Sequence, residues 1–285
     1  MHRSGVPIRS LSQTATGVPI IDISELQDCD VPTKEMRCVD QIRDACSGWG
    51  FFQIVNHGVS DETMDAFYEQ KQRFFALSKE EKARIKRNVE NSKGWYDDEL
   101  TKNKVDWKEG YDVGTQNGSL DERGLDGWNQ WPEQPANFEP VIRDYFWQME
   151  ALARKLTCCM SLGLGMDAEH FAKEFDGVHS SYLRMNYYPL CPDPSSHMAI
   201  SHHTDAGAVT VLTQSMVKSL QVYQPDDDQW YDVEPLEGAF VINTGDIMQV
   251  WSNDVYKAPL HRVKAQEHLE RYSSPFFYNP SYETT

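Results

Sequence analysis

Ser201-His202-His203-Thr204-Asp205-Ala206-Gly207-Ala208-Val209-Thr210-Val211-Leu212 is the stretch on which the reading of this chain turns. His203 and Asp205 stand two apart, and an alternating apolar run follows them. In an extended strand, residues i and i+2 share a face. The spacing therefore predicts that the His203 imidazole and the Asp205 carboxylate look into one interior. Two His and one carboxylate on one face of a metal ion leave its other positions open, the arrangement of oxygen-activating iron(II) sites.

The second histidine comes from Trp251-Ser252-Asn253-Asp254-Val255-Tyr256-Lys257-Ala258-Pro259-Leu260-His261-Arg262-Val263, where His261 opens a short apolar segment. In a sheet-rich fold, a strand can return to the same mouth after several turns. Arg271-Tyr272-Ser273 follows. Its first and third side chains share a strand face, and a guanidinium fork with a hydroxyl suits a carboxylate. Singly, each of these features is commonplace: a His-x-Asp in a turn, a hydrogen-bonded His, an Arg-x-Ser on a solvated face. Their order and spacing together make the signal.

On these residues the sequence resembles the isopenicillin N synthase-like branch of the iron(II)/2-oxoglutarate-dependent oxygenases. The resemblance is carried by Val18-Pro19-Ile20-Ile21-Asp22, Gly50-Phe51-Phe52-Gln53-Ile54-Val55-Asn56-His57-Gly58, Leu183-Arg184-Met185-Asn186-Tyr187-Tyr188-Pro189, the His203 stretch, Asn243-Thr244-Gly245-Asp246, and the region from His261 to Ser273. It runs from near residue 17 to near residue 282. It implies a mainly β fold with helical support, built on a double-stranded β-helix (jelly roll). It implies iron(II) held by His203, Asp205 and His261, 2-oxoglutarate held by Arg271 and Ser273, and Asn186 and Tyr188 assisting beside that cosubstrate. With O2, such an enzyme oxidises a C–H bond of a small-molecule metabolite by hydroxylation, ring closure or desaturation, and releases succinate and carbon dioxide. Two alternatives stay open: an oxidase of the same family that uses iron without 2-oxoglutarate, and a non-catalytic jelly-roll binding protein. A zinc hydrolase would suit the three ligands but would give Arg271 and Ser273 no purpose. Two departures from the family stand out. Leu190 replaces a common Pro, and the family usually continues past the equivalent of Tyr282 with a further helix, whereas this sequence stops at Thr285. Either the chain is shortened or this member lacks that helix.

Composition sets the outer bounds. The chain has 285 residues, 40% hydrophobic and 12% aromatic, enough for a core. A net charge of −17 argues against a nucleic-acid partner, since phosphate backbones require a basic surface. A small anion needs only a few local cations. Six cysteines (29, 38, 46, 158, 159 and 191) form no Cys-x-x-Cys pair, which points to reduced intracellular thiols. No apolar run reaches membrane-span length. The expectation is a cytoplasmic monomer that acts on a free small molecule, without a membrane. The first sixteen residues read as a disordered tail; their Arg, Ser and Thr without acids make an organellar transit peptide the alternative. Asn117-Gly118-Ser119 reads as a turn.

The rest, residues 17–285, reads as one domain, with helical support over about 17–179 and the jelly-roll core over about 180–282. Val18 to Ile23 alternates like a strand. Thr33 is an expected N-cap for a helix through Met36, Val39, Ile42 and Cys46, ended by Gly48 and Gly50. Phe51–Val55 reads as a buried strand, and His57 after it as a structural turn residue. Ser60 or Asp61 caps a helix to about Ala76, and Ser78-Lys79-Glu80-Glu81 has capping-box form. The basic run from Lys79 to Arg87 reads as solvated. Lys108 to Gly114 reads as a strand that lies, in the family, beside the active site. Trp95, Tyr96, Tyr111 and Val113, with Phe277, are therefore the candidate substrate contacts. Residues 118–134 read as loop, and a long helix is expected after Pro140, ended by Gly163-Leu164-Gly165. Beyond Ser180 the expected strands are 182–188, 208–214, 220–224, 230–233, 239–243, 248–251, 261–265 and 272–277, with Asp226-Asp227-Asp228 as a solvated hairpin tip.

Overall fold

In the computed structural model, residues 17–101, 104–115 and 127–284 are described. The expected tail and the Asn117 turn lie outside them. In chain order the elements are β1 (Ile20–Asp22), α1 (Arg37–Gly48), β2 (Phe51–Val55), α2 (Asp61–Phe75), α3 (Lys79–Ala83), β3 (Gly94–Tyr96), β4 (Leu100–Thr101), β5 (Lys104–Val105), β6 (Glu109–Gly114), α4 (Phe138–Gly163), α5 (Glu169–Ala172), β7 (Tyr182–Tyr188), β8 (Met198–His203), β9 (Val209–Gln214), β10 (Leu220–Gln224), β11 (Gln229–Asp232), β12 (Phe240–Thr244), α6 (Asp246–Trp251), β13 (His261–Lys264) and β14 (Arg271–Tyr278).

Two sheets form the jelly-roll core. The major sheet runs β1-β2-β12-β9-β14-β7-β6-β3 and the minor one β11-β10-β13-β8. Period-two alternation gives each strand of the major sheet two faces with different jobs. Phe51, Tyr188, Leu212 and Val241 point inward and pack against Ala199, Leu220, Val222 and Val263 of the minor sheet. Their neighbours Phe52, Leu183, Val211, Ile242 and Phe276 point outward, onto a larger core shared with Ile42, Phe67, Phe74, Tyr145, Met149 and Leu156 of α1, α2 and α4. Phe67 stacks on Tyr145 at 3.6 Å, joining α2 to α4. The helices thus brace one side of the sheet and leave the inner side for a cavity.

Several expectations needed revision. The helical part is not purely support: β1, β2, β3 and β6 all join the major sheet. α1 starts at Arg37 rather than after a Thr33 cap, because the Thr33 carbonyl closes a turn with the Met36 N–H instead (3.1 Å). Pro140 lies inside the first turn of α4 rather than before it, where its missing N–H removes no helical bond. Residues 248–251 belong to a helix, α6, and not to a strand. Residues 198–203, outside the expected strands, form β8. The run from Lys79 to Arg87 is not all solvated: Lys82 is buried, donating to the Phe75 carbonyl (3.0 Å) and to Glu109 (2.7 Å). The Ser78 capping box and the Ser60 cap are both present. His57 closes a turn, its ring on the Gly238 carbonyl (2.9 Å) and beside the Val59 N–H (3.2 Å). No helix among the described residues is long and apolar enough to cross a membrane.

Candidate active site

A cavity of about 300 Å³ opens between the two sheets, a volume at the lower end of those that take small molecules. Its floor is a grid of inward-facing side chains on the major sheet. Along β14 the row is Arg271, Ser273, Pro275 and Phe277; along β7 it is Tyr188, Asn186 and Arg184. Register locks the rows together, with Arg271 opposite Tyr188 and Ser273 opposite Asn186.

His203 and His261 reach this floor from the minor sheet, where β8 and β13 set them directly opposite one another. Asp205 completes the group. The three residues offer ligand atoms that lie within 4.8 Å of one another. Both Nε2 atoms stand 3.6 Å from Asp205 Oδ1, ligand spacing rather than hydrogen bonding. Each Nδ1 sits on a backbone carbonyl, His203 on Ser201 (2.9 Å) and His261 on Pro259 (3.0 Å). That contact places the proton on Nδ1 and leaves the Nε2 lone pair for a metal. Burial, reinforced by His261 nearby, lowers His203 to about 4, so its ring is neutral at ordinary pH. At Asp205, burial works to raise the pKa but is outweighed by the two histidines and by hydrogen bonds from Asn243 (2.8 Å) and Thr210 (2.6 Å), and the carboxyl stays ionised. Two imidazole nitrogens and one carboxylate oxygen converging at this spacing fit iron(II).

Asp205 arrives by a route that strand alternation did not foresee. β8 ends at His203, and Asp205 lies in the loop beyond it. The loop is pinned where the Asp205 carbonyl accepts from the Asp246 N–H (2.8 Å). A Cβ on Gly245 would stand 2.1 Å from the Gly207 carbonyl oxygen, so the approach depends on glycine. Asn243 and Thr210, which aim the carboxylate, were not singled out from sequence. Both sit inside quoted motifs, but neither spacing nor composition reveals a bond across strands.

Arg271 is fully buried at the end of the floor. Its Nη2 donates to Gln214 Oε1 (2.8 Å) and its guanidinium lies 4.9 Å from the Tyr188 ring, while Nε and Nη1 have no hydrogen-bond partner among the described residues. Unpaired N–H groups on a buried cation are costly, so the arrangement calls for an anion. Ser273 Oγ lies 3.1 Å from the Tyr188 hydroxyl and accepts from Asn186 Nδ2 at 3.4 Å. The donor set matches a carboxylate, and the residues present fit 2-oxoglutarate.

Of the five candidate substrate contacts, Phe277 lines the cavity and the other four do not. Trp95, Tyr111 and Val113 face the helices: the Trp95 indole donates to Glu109 (2.9 Å), Tyr111 to the Gln130 carbonyl (2.5 Å), and all three belong to the helix-side core. Tyr96 shares the cavity's face but is buried one layer behind it, its ring 3.5 Å from the Arg87 guanidinium and 5.3 Å from that of Arg184. The residues in their place are Lys108, Arg184 and Glu99. On β6 the helix-facing residues are Glu109, Tyr111 and Val113, so the opposite parity, beginning at Lys108, was the signal to follow.

Comparison with known proteins agrees with this geometry. The family model described as non-haem dioxygenase in morphine synthesis, N-terminal, matches residues 18–134, and that of the 2OG-Fe(II) oxygenase superfamily matches residues 179–280. Jasmonate-induced oxygenase 3 of Arabidopsis thaliana is 37% identical over 274 residues, covering 94% of this chain and 73% of the relative. The crystal structure of JOX2 with 2OG, Fe and JA superposes with a TM-score of 0.81 at 34% identity, covering 94% of this chain and 76% of the other. A full-length Neurospora crassa protein, solved in complex with alpha-KG and thymine, gives a TM-score of 0.83 at 26% identity, covering 96% of this chain and 89% of the other.

Proposed function

This chain belongs to the 2-oxoglutarate/iron(II) oxygenase superfamily, and from that premise we propose how its own residues carry the reaction and what it acts on. The protein is an iron(II)- and 2-oxoglutarate-dependent dioxygenase. Our assignment gives His203, Asp205 and His261 the iron, Arg271 and Ser273 the far carboxylate of 2-oxoglutarate, and Asn186 and Tyr188 the positions beside it. With O2, iron(II) and 2-oxoglutarate supply the oxidising capacity to break an unactivated C–H bond, releasing succinate and carbon dioxide.

The chain's contribution is binding, orientation and exclusion of water. Arg271 and Ser273 would hold the cosubstrate's far carboxylate on the same floor that His203, Asp205 and His261 overlook. Asn243 and Thr210 hold Asp205 ionised and aimed. The apolar wall of Phe51, Leu212, Leu220 and Val263 dries the slot between. The opposite end of the floor, by Arg184 and Phe277, is left for substrate. We infer that the substrate is a small free molecule, converted by hydroxylation, ring closure or desaturation, and that the enzyme works as a monomer and not on nucleic acid. The acidic net charge supports the last point. The relatives support the first: JOX2 holds JA and the Neurospora crassa protein holds thymine.

The observation that carries the 2-oxoglutarate assignment is the buried pair of Arg271 nitrogens, Nε and Nη1, with no hydrogen-bond partner among the described residues; an oxidase without 2-oxoglutarate, or a binding module, would leave them unexplained. The test is an anaerobic titration of metal-free protein with iron(II) and then 2-oxoglutarate, read as a weak visible charge-transfer band. Arg271→Leu should raise the 2-oxoglutarate needed for half-saturation by at least about 100-fold, since charged hydrogen bonds are worth about 1.5–3 kcal/mol each. His203→Ala should abolish the band. An unchanged half-saturation in the Arg271 variant would place the cosubstrate elsewhere.

A further inference from the structure

The substrate end of the cavity carries charges that the reaction as described does not use. Arg184 stands four residues along β7 from Tyr188, roughly 13 Å at the strand's rise, and Asn186 lies between them. Its guanidinium is spent within the protein. Nε and Nη2 each donate to Asp112 at 2.8 Å, and Nη1 lies 3.1 Å from Glu99 Oε1. Lys108 is likewise engaged, its ammonium 2.5 Å from Glu99 Oε2 and 3.2 Å from Asn186 Oδ1. Arg87 approaches the same carboxylate at 3.6 Å. The cluster thus holds three cations (Arg87, Lys108, Arg184) and three carboxylates (Glu99, Asp106, Asp112). Glu99, Lys108 and Arg184 line the cavity, with Leu100 and Phe277 as apolar neighbours.

We propose that Glu99 is a specificity-determining residue: it fills the cationic seat made by Arg184 and Lys108, and so directs the cavity to an uncharged polar group that offers an N–H donor, such as an amide, imide or lactam, and away from a carboxylate. The inference rests on the reading of this cavity as the active site. A substrate carboxylate entering here meets like charge in a poorly solvated space, with both nearby cations already committed. An N–H donor meets an acceptor with room for one more bond, since an ionised carboxylate has about four lone-pair sites, the hydrogen bonds come from Arg184 Nη1 (shared between both oxygens) and Lys108, and Arg87 at 3.6 Å is beyond hydrogen-bond reach. Arg184 stays fixed by Asp112 whatever Glu99 does, so removing the Glu99 charge exposes a ready anion seat instead of collapsing it.

The test uses a matched pair of probes, phenylacetamide and phenylacetate, titrated calorimetrically under anaerobic conditions into protein loaded with iron(II) and 2-oxoglutarate. Wild type should bind the amide at least about 10-fold tighter than the acid. Glu99→Gln should reverse that order, and Glu99→Ala, which abandons the side chain's shape as well, should reverse it too; a purely structural role for Glu99 would weaken both probes alike. A wild-type preference for phenylacetate overturns the proposal. So does a ratio that moves less than about 3-fold in both variants, or failure of both probes to bind any of the three proteins at millimolar concentration. The charge-transfer band of the wild-type protein is recorded in the same sample. Its absence would strike the 2-oxoglutarate assignment, while the probe ratio would still decide the role of Glu99.

Discussion

Lys71 is a buried cation on the far side of the floor. It sits in α2 with its amine 3.0 Å from Ser274 Oγ, over the rings of Phe67 and Tyr68. Burial, together with the charge of Arg271 across the sheet, lowers its pKa to about 7. Between pH 7 and its ordinary value near 10.5, the unfolded chain holds a proton there that the folded chain does not, so this residue makes stability rise with pH in that window. Lys71→Met should therefore raise Tm most at pH 6–7, and the gain should fade as pH approaches 10. Thermal scans across that range check it; a gain independent of pH would mean that packing, not charge, is responsible. Glu99 runs the opposite way. Burial alone would raise its pKa, but Arg184 and Lys108 prevail and hold it at about 2. A depressed carboxyl stabilises above its unfolded value near 4.5 and loses that contribution as pH falls toward 2. The stability margin of wild type over Glu99→Gln should narrow steadily from pH 5 to pH 2 in urea titrations, and a constant margin would contradict the ion-pair account.

At the scale of elements, β6 decides what the cavity is made of. Alternation sends Lys108 and Asp112 to one side and Glu109, Tyr111 and Val113 to the other, and Gly110 lets Tyr96 lie flat across the strand. A Cβ there would stand 2.2 Å from Tyr96 Cζ. Gly110→Ala should cost about 1–3 kcal/mol, the usual range for overpacking, measurable by chemical denaturation. Because Tyr96 underlies Arg184, it should also weaken substrate-dependent succinate release more than 2-oxoglutarate binding. This strand shows where the sequence was legible and where it was not. Its existence and its place beside the site are readable from pattern and resemblance, but its parity is not, and Tyr111 and Val113 on it, like Trp95 on the neighbouring β3, face the helices and not the cavity. The strand expected at residues 248–251 failed for a related reason. Met248 is buried while Val250 is 76% exposed, and a four-residue run with three apolar members, Met248, Val250 and Trp251, does not tell a strand from one helical turn. β8 went unread because Met198-Ala199-Ile200-Ser201 has too little alternation to separate it from the loop before it. The convergence of His203, Asp205 and His261 was anticipated from a strand geometry that Asp205 does not have; side-chain bonds from β9 and β12 achieve what alternation was expected to do.

At the scale of the whole molecule, the overall charge and the site's needs pull in opposite directions. The chain carries a net charge of −17, yet its cosubstrate is a dianion that, on our assignment, must reach Arg271 at the bottom of a cavity. Arg271 acts at short range and is fully buried. At a distance, the ligand feels the summed field of the surface. With a Debye length of about 30 Å at 0.01 M salt and about 8 Å at 0.15 M, that repulsion is felt across the first encounter at low salt and is largely screened at physiological salt. The association rate of 2-oxoglutarate with the anaerobic iron(II) enzyme should therefore increase several-fold over this interval. This is the reverse of the salt dependence of an electrostatically steered ligand. The dissociation rate, which our assignment gives to Arg271 and Ser273 inside the protein, should change much less. Stopped-flow recording of the charge-transfer band at a series of salt concentrations separates the two rates. An association rate that falls with salt would show that the cationic floor, and not the acidic surface, governs the approach of the cosubstrate.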